Sequence, residues 1–292
     1  MKGTRIIVAS GKGGTGKTTV AAALAMALKR GLAEVQFLDC DVEEPDAGIY
    51  LKPAIDSSSE VTIEVPVIDA EKCNGCGECQ PICQYNAIAM ESGSIITYAE
   101  LCRGCGACKL VCPTHAITEN ERRIGVIESG TSDNLIFHRG VLDIGQHSTL
   151  PLIESLKSMA RTDVPTILDS APGTASPVIP SVKGCDYCIL VTEPTPFGLY
   201  DLELMVRVIR EFGIPAGIII NKDEAWSSNI EKYASENGLP ILMRVPLSRE
   251  IASLCSRGVV LTEADPSWDD RFWTLYEEVE RTIWYGRSKS PL

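Results

Sequence analysis

Gly11-Lys12-Gly13-Gly14-Thr15-Gly16-Lys17-Thr18-Thr19 is the stretch that decides the fold. It follows an apolar run, residues 5–10, that reads as a buried strand. An alanine-rich run with helical character, residues 17–29, comes directly after it. The string fits G-x-x-x-x-G-K-[ST] in the strand–loop–helix setting that gives the pattern its meaning. Glycines let successive backbone N–H groups turn inward, and the helix N-terminus adds positive potential, so the loop cradles phosphates. Lys17 is placed to meet the β- and γ-phosphates of ATP, and the Thr18 hydroxyl to ligate Mg²⁺. Gly11, Gly13, Gly14, Thr15, Gly16 and Thr19 complete the cradle.

Outward from the loop, β-type and helical runs alternate. Residues 35–39, 123–127, 165–169, 188–192, 217–221 and 240–245 read as strands. Residues 149–159, 199–212, 228–236 and 248–256 read as helices. The alternation predicts an α/β fold, a mainly parallel, doubly wound sheet with helices on both faces. The rhythm stops near Leu51 and resumes near Arg122. Residues 53–60, with Ser57, Ser58 and Ser59, read as a linker, and 61–68 as a strand pairing with the cysteine-rich stretch beyond it.

Eight of the twelve cysteines fall between Cys73 and Cys112. They form two copies of one template, Cys73-Asn74-Gly75-Cys76-Gly77-Glu78-Cys79 and Cys102-Arg103-Gly104-Cys105-Gly106-Ala107-Cys108. A further cysteine follows each copy (Cys83, Cys112), then an Ala-Ile pair. The spacing is that of the bacterial ferredoxin run, in which the fourth cysteine of each copy serves the other cluster. It predicts one [4Fe–4S] cluster on Cys73, Cys76, Cys79 and Cys112, and a second on Cys102, Cys105, Cys108 and Cys83. Zinc is the competing ligand for C-x2-C pairs. Gln84 departs from the run, which normally has proline there, as Pro113 does after Cys112. The expected organisation is a P-loop ATPase domain in two parts, residues 1–58 and 122–292, with a small α+β ferredoxin domain, residues 59–121, inserted between them.

Composition narrows the function. A net charge of −12 argues against a nucleic-acid surface, which needs a clustered positive field that no run of Lys and Arg supplies, and against an anionic membrane. With no apolar leader-like run before the loop and no apolar run long enough to span a bilayer, the chain is expected to be cytoplasmic. In that reducing setting its cysteines are expected as metal ligands sooner than as disulfides.

The second lysine of the loop, Lys12, makes the string resemble the deviant Walker A family: the MinD and ParA ATPases, the nitrogenase iron protein and the Mrp-type cluster carriers. The resemblance implies that Lys12 reaches a partner's nucleotide across an ATP-clamped dimer, formed with a second copy or with a paralogue. It implies that Asp41, in Asp39-Cys40-Asp41-Val42, orients the attacking water, and that Asp46 lies on the first switch loop. Both carboxylates also read as solvated strand-end residues. Asp169-Ser170-Ala171-Pro172-Gly173 resembles the second switch, with Asp169 holding Mg²⁺ through water and the Gly173 N–H swinging to the γ-phosphate. Asn221 stands where relatives hold adenine, and reads equally as a turn asparagine.

Cys185-Asp186-Tyr187-Cys188 reads either as a dimer-bridging metal site or as small buried residues at a strand start. MinD ends in a membrane helix, but here residues 269–285 set Phe272, Leu275, Tyr276, Val279, Ile283 and Trp284 against an acidic polar face. A membrane helix wants Lys and Arg there, so packing on the sheet is expected and no membrane partner. Three functions fit: ATP-gated electron delivery to a redox protein, a factor that carries clusters to an acceptor, or an ATP-dependent organiser of a partner complex.

Overall fold

A computed structural model describes residues 3–174, 177–224 and 227–289. Eleven strands are present among them: β1 (Arg5–Ala9), β2 (Val35–Cys40), β3 (Ala54–Ile68), β4 (Ile88–Glu91), β5 (Ser94–Thr97), β6 (Ile117–Ser132), β7 (Leu135–Leu142), β8 (Thr166–Ser170), β9 (Tyr187–Thr192), β10 (Ala216–Asp223) and β11 (Ile241–Pro246). Nine of them form one sheet in the order β11-β10-β9-β1-β8-β2-β7-β6-β3. From β11 to β7 all neighbours are parallel, and β6 and β3 add an antiparallel edge. The central strands β1, β2, β8 and β9 are almost entirely buried, as their unbroken apolar character requires.

Two cores lie on the two faces. On one, the helix Lys17–Gly31 packs against the sheet and the C-terminal helix Ser267–Lys289, through Phe272, Leu275, Val279 and Ile283. On the other, the helices Thr149–Ser158 and Pro196–Glu211 cover Ile7, Leu38, Leu168 and Leu190. Trp284 departs from the expected stripe: it sits 64% exposed against Tyr285, one position past the buried Ile283. No helix among the described residues is long and apolar enough to cross a membrane.

Two expectations need correction. Residues 54–60, read as a linker, are the first half of β3, which pairs with β6 from Ala54↔Thr131 to Ile68↔Ile117. Their polar side chains are exposed, while Val61, Ile63 and Val65 further along turn into the core. The expected strands do not include β7, because His138, Arg139 and Gly140 interrupt its apolar pattern. It is buried instead through Leu135 and Phe137, the latter stacked on Phe37 of β2.

The cysteine-rich segment hangs between the far ends of β3 and β6, so it is rooted in two strands of the main sheet. Its own framework is slight: the hairpin β4–β5, the four-residue helices Cys79–Ile82 and Ala107–Leu110, and a small core of Cys79, Ile88, Cys108 and Ile117. The duplication read in the sequence is also geometric. Gly75 and Gly104 (φ 70° and 72°), Gly77 and Gly106 (78° and 69°), and Asn86 and His115 (53° and 52°) take matching left-handed conformations.

Candidate nucleotide site and cysteine cavities

The phosphate loop stands at the C-terminal end of β1, in the centre of the parallel sheet, where such folds bind ligands. Gly14 and Gly16 are left-handed, φ 74° and 91°. A Cβ on Gly13 or Gly14 would meet no atom within 4 Å, so these backbones face open space. At Gly16 a Cβ would lie 2.3 Å from Asn221 Nδ2, which reaches over the loop to donate to the Thr15 carbonyl at 2.7 Å. Asn221 is thus tied to the loop backbone.

The strand ends beside the loop carry acids. Asp39 and Asp169 are register partners on β2 and β8 and both are fully buried. Neither oxygen of Asp169 has a hydrogen-bond partner; Thr18 lies nearby without reaching hydrogen-bonding geometry. Burial pushes its pKa up, and Lys17 pulls against that. Two unpartnered, buried carboxylate oxygens beside Lys17 and Thr18 fit a hydrated Mg²⁺ that would supply the missing donors. The buried, unpartnered Thr15 hydroxyl and the open Gly13–Gly14 backbone fit a polyphosphate in the same way.

Asp41 is half-buried, and loss of hydration raises its pKa to about 6, against the pull of Lys17. Asp39, which carried no role in the sequence reading, accepts the Asp41 N–H at 3.2 Å and the Ala47 N–H at 3.1 Å. It pins both ends of the loop that holds Asp41 and Asp46. Its signal in the sequence was only its place at the end of a strand. Asp46 itself is exposed at the start of the short helix Ala47–Leu51. The Gly173 N–H donates to the Ser10 carbonyl at 3.0 Å, so it must leave that bond to reach a phosphate. Lys12 is paired with Glu193 of its own chain.

Beside the loop lies a cavity lined by Asn221 with apolar Val20, Val245, Leu247 and Ile251 and by Cys255. Nothing in the apolar pattern of residues 245–255 separates the wall of a base-sized cavity from ordinary core, so the sequence does not mark them.

The eight clustered cysteines surround two separate cavities. One is ringed by Cys73, Cys76, Cys79 and Cys112, the other by Cys83, Cys102, Cys105 and Cys108. Cys83 and Cys112 have each crossed to the set of the other repeat. The thiols encircle space: among the described residues no group of His, Cys, Asp and Glu converges on a single-ion position. Backbone N–H groups point at the sulfurs in matched pairs, Ala87 to Cys83 and Ala116 to Cys112, both 3.3 Å, with Gly104 to Cys102 at 3.4 Å. Burial raises the Cys79 and Cys108 thiols; at Cys112, burial is outweighed by the Thr114 hydroxyl and the local N–H groups, which lower it.

Cys185 and Cys188 are buried, and burial raises both pKa values, Cys185 to about 11. Cys185 donates to the Ser181 carbonyl within its own fold. This placement does not present a surface pair for bridging two chains.

The CobQ/CobB/MinD/ParA nucleotide-binding domain model matches residues 6–261, a span containing every residue of the loop and its neighbouring strand ends. The chain is similar to two uncharacterized proteins of Methanocaldococcus jannaschii. MJ0579 is 31% identical over 221 residues, covering 74% of this chain and 79% of that one. MJ0578 is 28% identical over 282 residues, covering 96% and 97%. It is also similar to an iron-sulfur cluster carrier protein of Pseudomonas fragi, 25% identical over 298 residues, covering 96% and 85%. Among solved structures, the septum site-determining protein MinD with Mg-ADP from Pyrococcus horikoshii superposes with a TM-score of 0.58 at 20% identity, covering 96% and 97%. At that identity the likeness speaks for the fold alone.

Proposed function

Because the chain belongs to the CobQ/CobB/MinD/ParA nucleotide-binding family, we propose that it is an ATP-binding and ATP-hydrolysing iron–sulfur protein whose nucleotide state governs electron transfer through two [4Fe–4S] clusters. The observation that carries this reading is the exchange of Cys83 and Cys112 between two four-cysteine cavities, the arrangement a two-cluster ferredoxin needs. Thiols spaced around a cavity suit a four-iron cube better than one zinc ion, which draws four sulfurs to about 2.3 Å.

Within this reading Lys17 and the loop N–H groups hold the β- and γ-phosphates, and Thr18 and Asp169 hold Mg²⁺, Asp169 through water. Asp41, once ionised, accepts a hydrogen bond from water and fixes its line of attack. Lys12 leaves Glu193 for the nucleotide of a second subunit, a copy or a paralogue. The cysteine thiolates and the N–H groups around them hold the clusters, which supply one-electron chemistry when bound. A redox protein is the expected partner, in the cytoplasm, without nucleic acid or membrane.

One observation favours a second reading: the relative from Pseudomonas fragi is named a cluster carrier. The two separate by experiment. Anaerobically purified protein should hold about eight iron atoms per chain, and exchanging Mg·ADP for Mg·ATP should shift the reduction of its clusters. Iron transfer to an apo-acceptor that requires Lys17, with no such shift, would favour the carrier.

A further inference from the structure

Cys102 is tied to the nucleotide-binding sheet through its backbone. Its carbonyl accepts from Arg122 Nη2 at 3.2 Å and from Ser148 Oγ at 3.5 Å. Arg122 stands on β6 and also donates from Nη1 to Gln146 Oε1 at 2.6 Å. Its Nε is buried without a partner, so the guanidinium keeps a donor that an altered arrangement can use.

Gln146 and Ser148 belong to the loop that leaves β7, and the end of β7 is fastened to the segment carrying Asp41. The Leu142 N–H donates to the Val42 carbonyl at 2.9 Å. Beyond it, Asp143 N–H donates to Ile124 at 2.9 Å and Gln146 N–H to Asp143 at 3.0 Å. Val42 packs so closely over β7 that a Cβ on Gly140 would come within 2.6 Å of it. This contact has no slack: close-packed groups move together or rearrange. A displacement of the Asp41–Val42 backbone would therefore press on the end of β7 and on the loop 143–148, where Gln146 and Ser148 sit.

We propose that Arg122 is a positioning residue that transmits the state of the nucleotide site to the cavity of Cys83, Cys102, Cys105 and Cys108, and to that cavity alone. This rests on the reading that the cavities hold clusters and that the Asp41 loop responds to nucleotide. The Arg122 guanidinium, outside the lining of Arg103, Glu64 and Glu119, places a positive charge against the backbone of Cys102, which does line that cavity. Such a charge favours the reduced, more negative form of a cluster, strongly so where water is partly excluded. Moving Gln146 changes how firmly that charge is held. No hydrogen bond among the described residues joins Cys73, Cys76, Cys79 or Cys112 to Arg122 or to the loop 143–148, so the second cavity serves as an internal control.

The test is a redox titration of the intact protein followed by electron paramagnetic resonance, with Mg·ADP and with a non-hydrolysable Mg·ATP analogue. A Cys105→Ser variant assigns the two signals. In the parent protein the analogue should shift the potential of the cluster on the Cys102 set and leave the other unmoved. Arg122→Gln and Gln146→Ala should each lose that shift while nucleotide affinity stays within twofold. A shift retained in both variants, or one shared equally by both clusters, overturns the role of Arg122 while leaving the coupled function intact. No shift in the parent protein overturns the coupling itself and the proposal with it. Should Arg122→Gln fail to assemble its clusters, Gln146→Ala decides, because it leaves the arginine in place.

Discussion

The Lys12 ammonium and the Glu193 carboxylate form an ion pair within one chain, Nζ to Oε2 at 2.8 Å. Lys222 shares the same carboxylate at 2.5 Å and also donates to the Gly14 carbonyl at 2.9 Å. Burial works against the charge on Glu193, but the two lysines outweigh it and hold its pKa below the usual range. The second lysine of the phosphate loop is thus folded back at the mouth of its own loop.

Releasing that lysine should ease association. Glu193→Gln should lower the protein concentration at which a non-hydrolysable ATP analogue drives dimerisation, by several-fold, as read by sedimentation. Lys12→Ala should abolish the analogue-dependent dimer. Unchanged association in Glu193→Gln would mean that the pair does not restrain Lys12.

A side chain at Gly16 would strain the loop backbone and displace the Asn221 amide. The φ of 91° at Gly16 costs a non-glycine residue about 1–2 kcal/mol, and the Cβ would strike Asn221 Nδ2. Gly16→Ala should weaken ATP binding at least tenfold by calorimetry.

Asp41 gives a pH signature to folding without nucleotide. Its folded pKa of about 6 lies above its ordinary value of 3.8, so between those values the folded chain holds a proton that the unfolded chain has lost. Stability then falls as pH rises through this window. Asp41→Asn lacks the penalty, so its advantage in Tm should grow from pH 4 to above pH 6 and then level. Allowing for screening of the half-buried carboxylate, the gain is roughly 1–2 kcal/mol, or a few degrees. A constant difference across that range would show that Asp41 titrates normally.

The core of the cysteine-rich segment is too small to hold the segment by itself, consisting of Cys79, Ile88, Cys108 and Ile117 with a few partly buried neighbours. Chelating iron should therefore raise hydrogen exchange across residues 69–116 and leave β1, β2, β8 and β9 protected. Equal protection before and after iron removal would mean that the segment folds without clusters.

Ligand exchange between the repeats predicts which spectra change together. Cys83→Ser should perturb the same cluster as Cys102→Ser, and Cys112→Ser the same cluster as Cys73→Ser, each leaving about four iron atoms on the chain. Pairing within each repeat instead would contradict the crossing.

Much of the candidate site was legible because its residues are local. A phosphate cradle needs glycines, a lysine and a threonine within one turn of chain, and Gly11 to Thr18 supply them in order. Three sulfurs offered from one loop need C-x2-C-x2-C, and both repeats show it. The β3–β6 ribbon was hidden because the Ser57–Glu60 half of β3 looks like linker. Only pairing with Val126–Ser129, far away in sequence, makes it a strand.

By itself, then, the sequence determined the phosphate loop, the two four-cysteine sets and the alternating α/β pattern, each of which is encoded in spacing along the chain. Tertiary structure alone decided that Lys12 meets Glu193 and that Arg122 reaches Cys102. The first depends on β1 and β9 lying side by side and parallel, which brings their C-terminal ends together. The second depends on β6 lying antiparallel to β7, which sets the loop beyond β7 beside the base of the cysteine segment. Strand order and register are settled by burial summed over the whole sheet, and no local spacing records them.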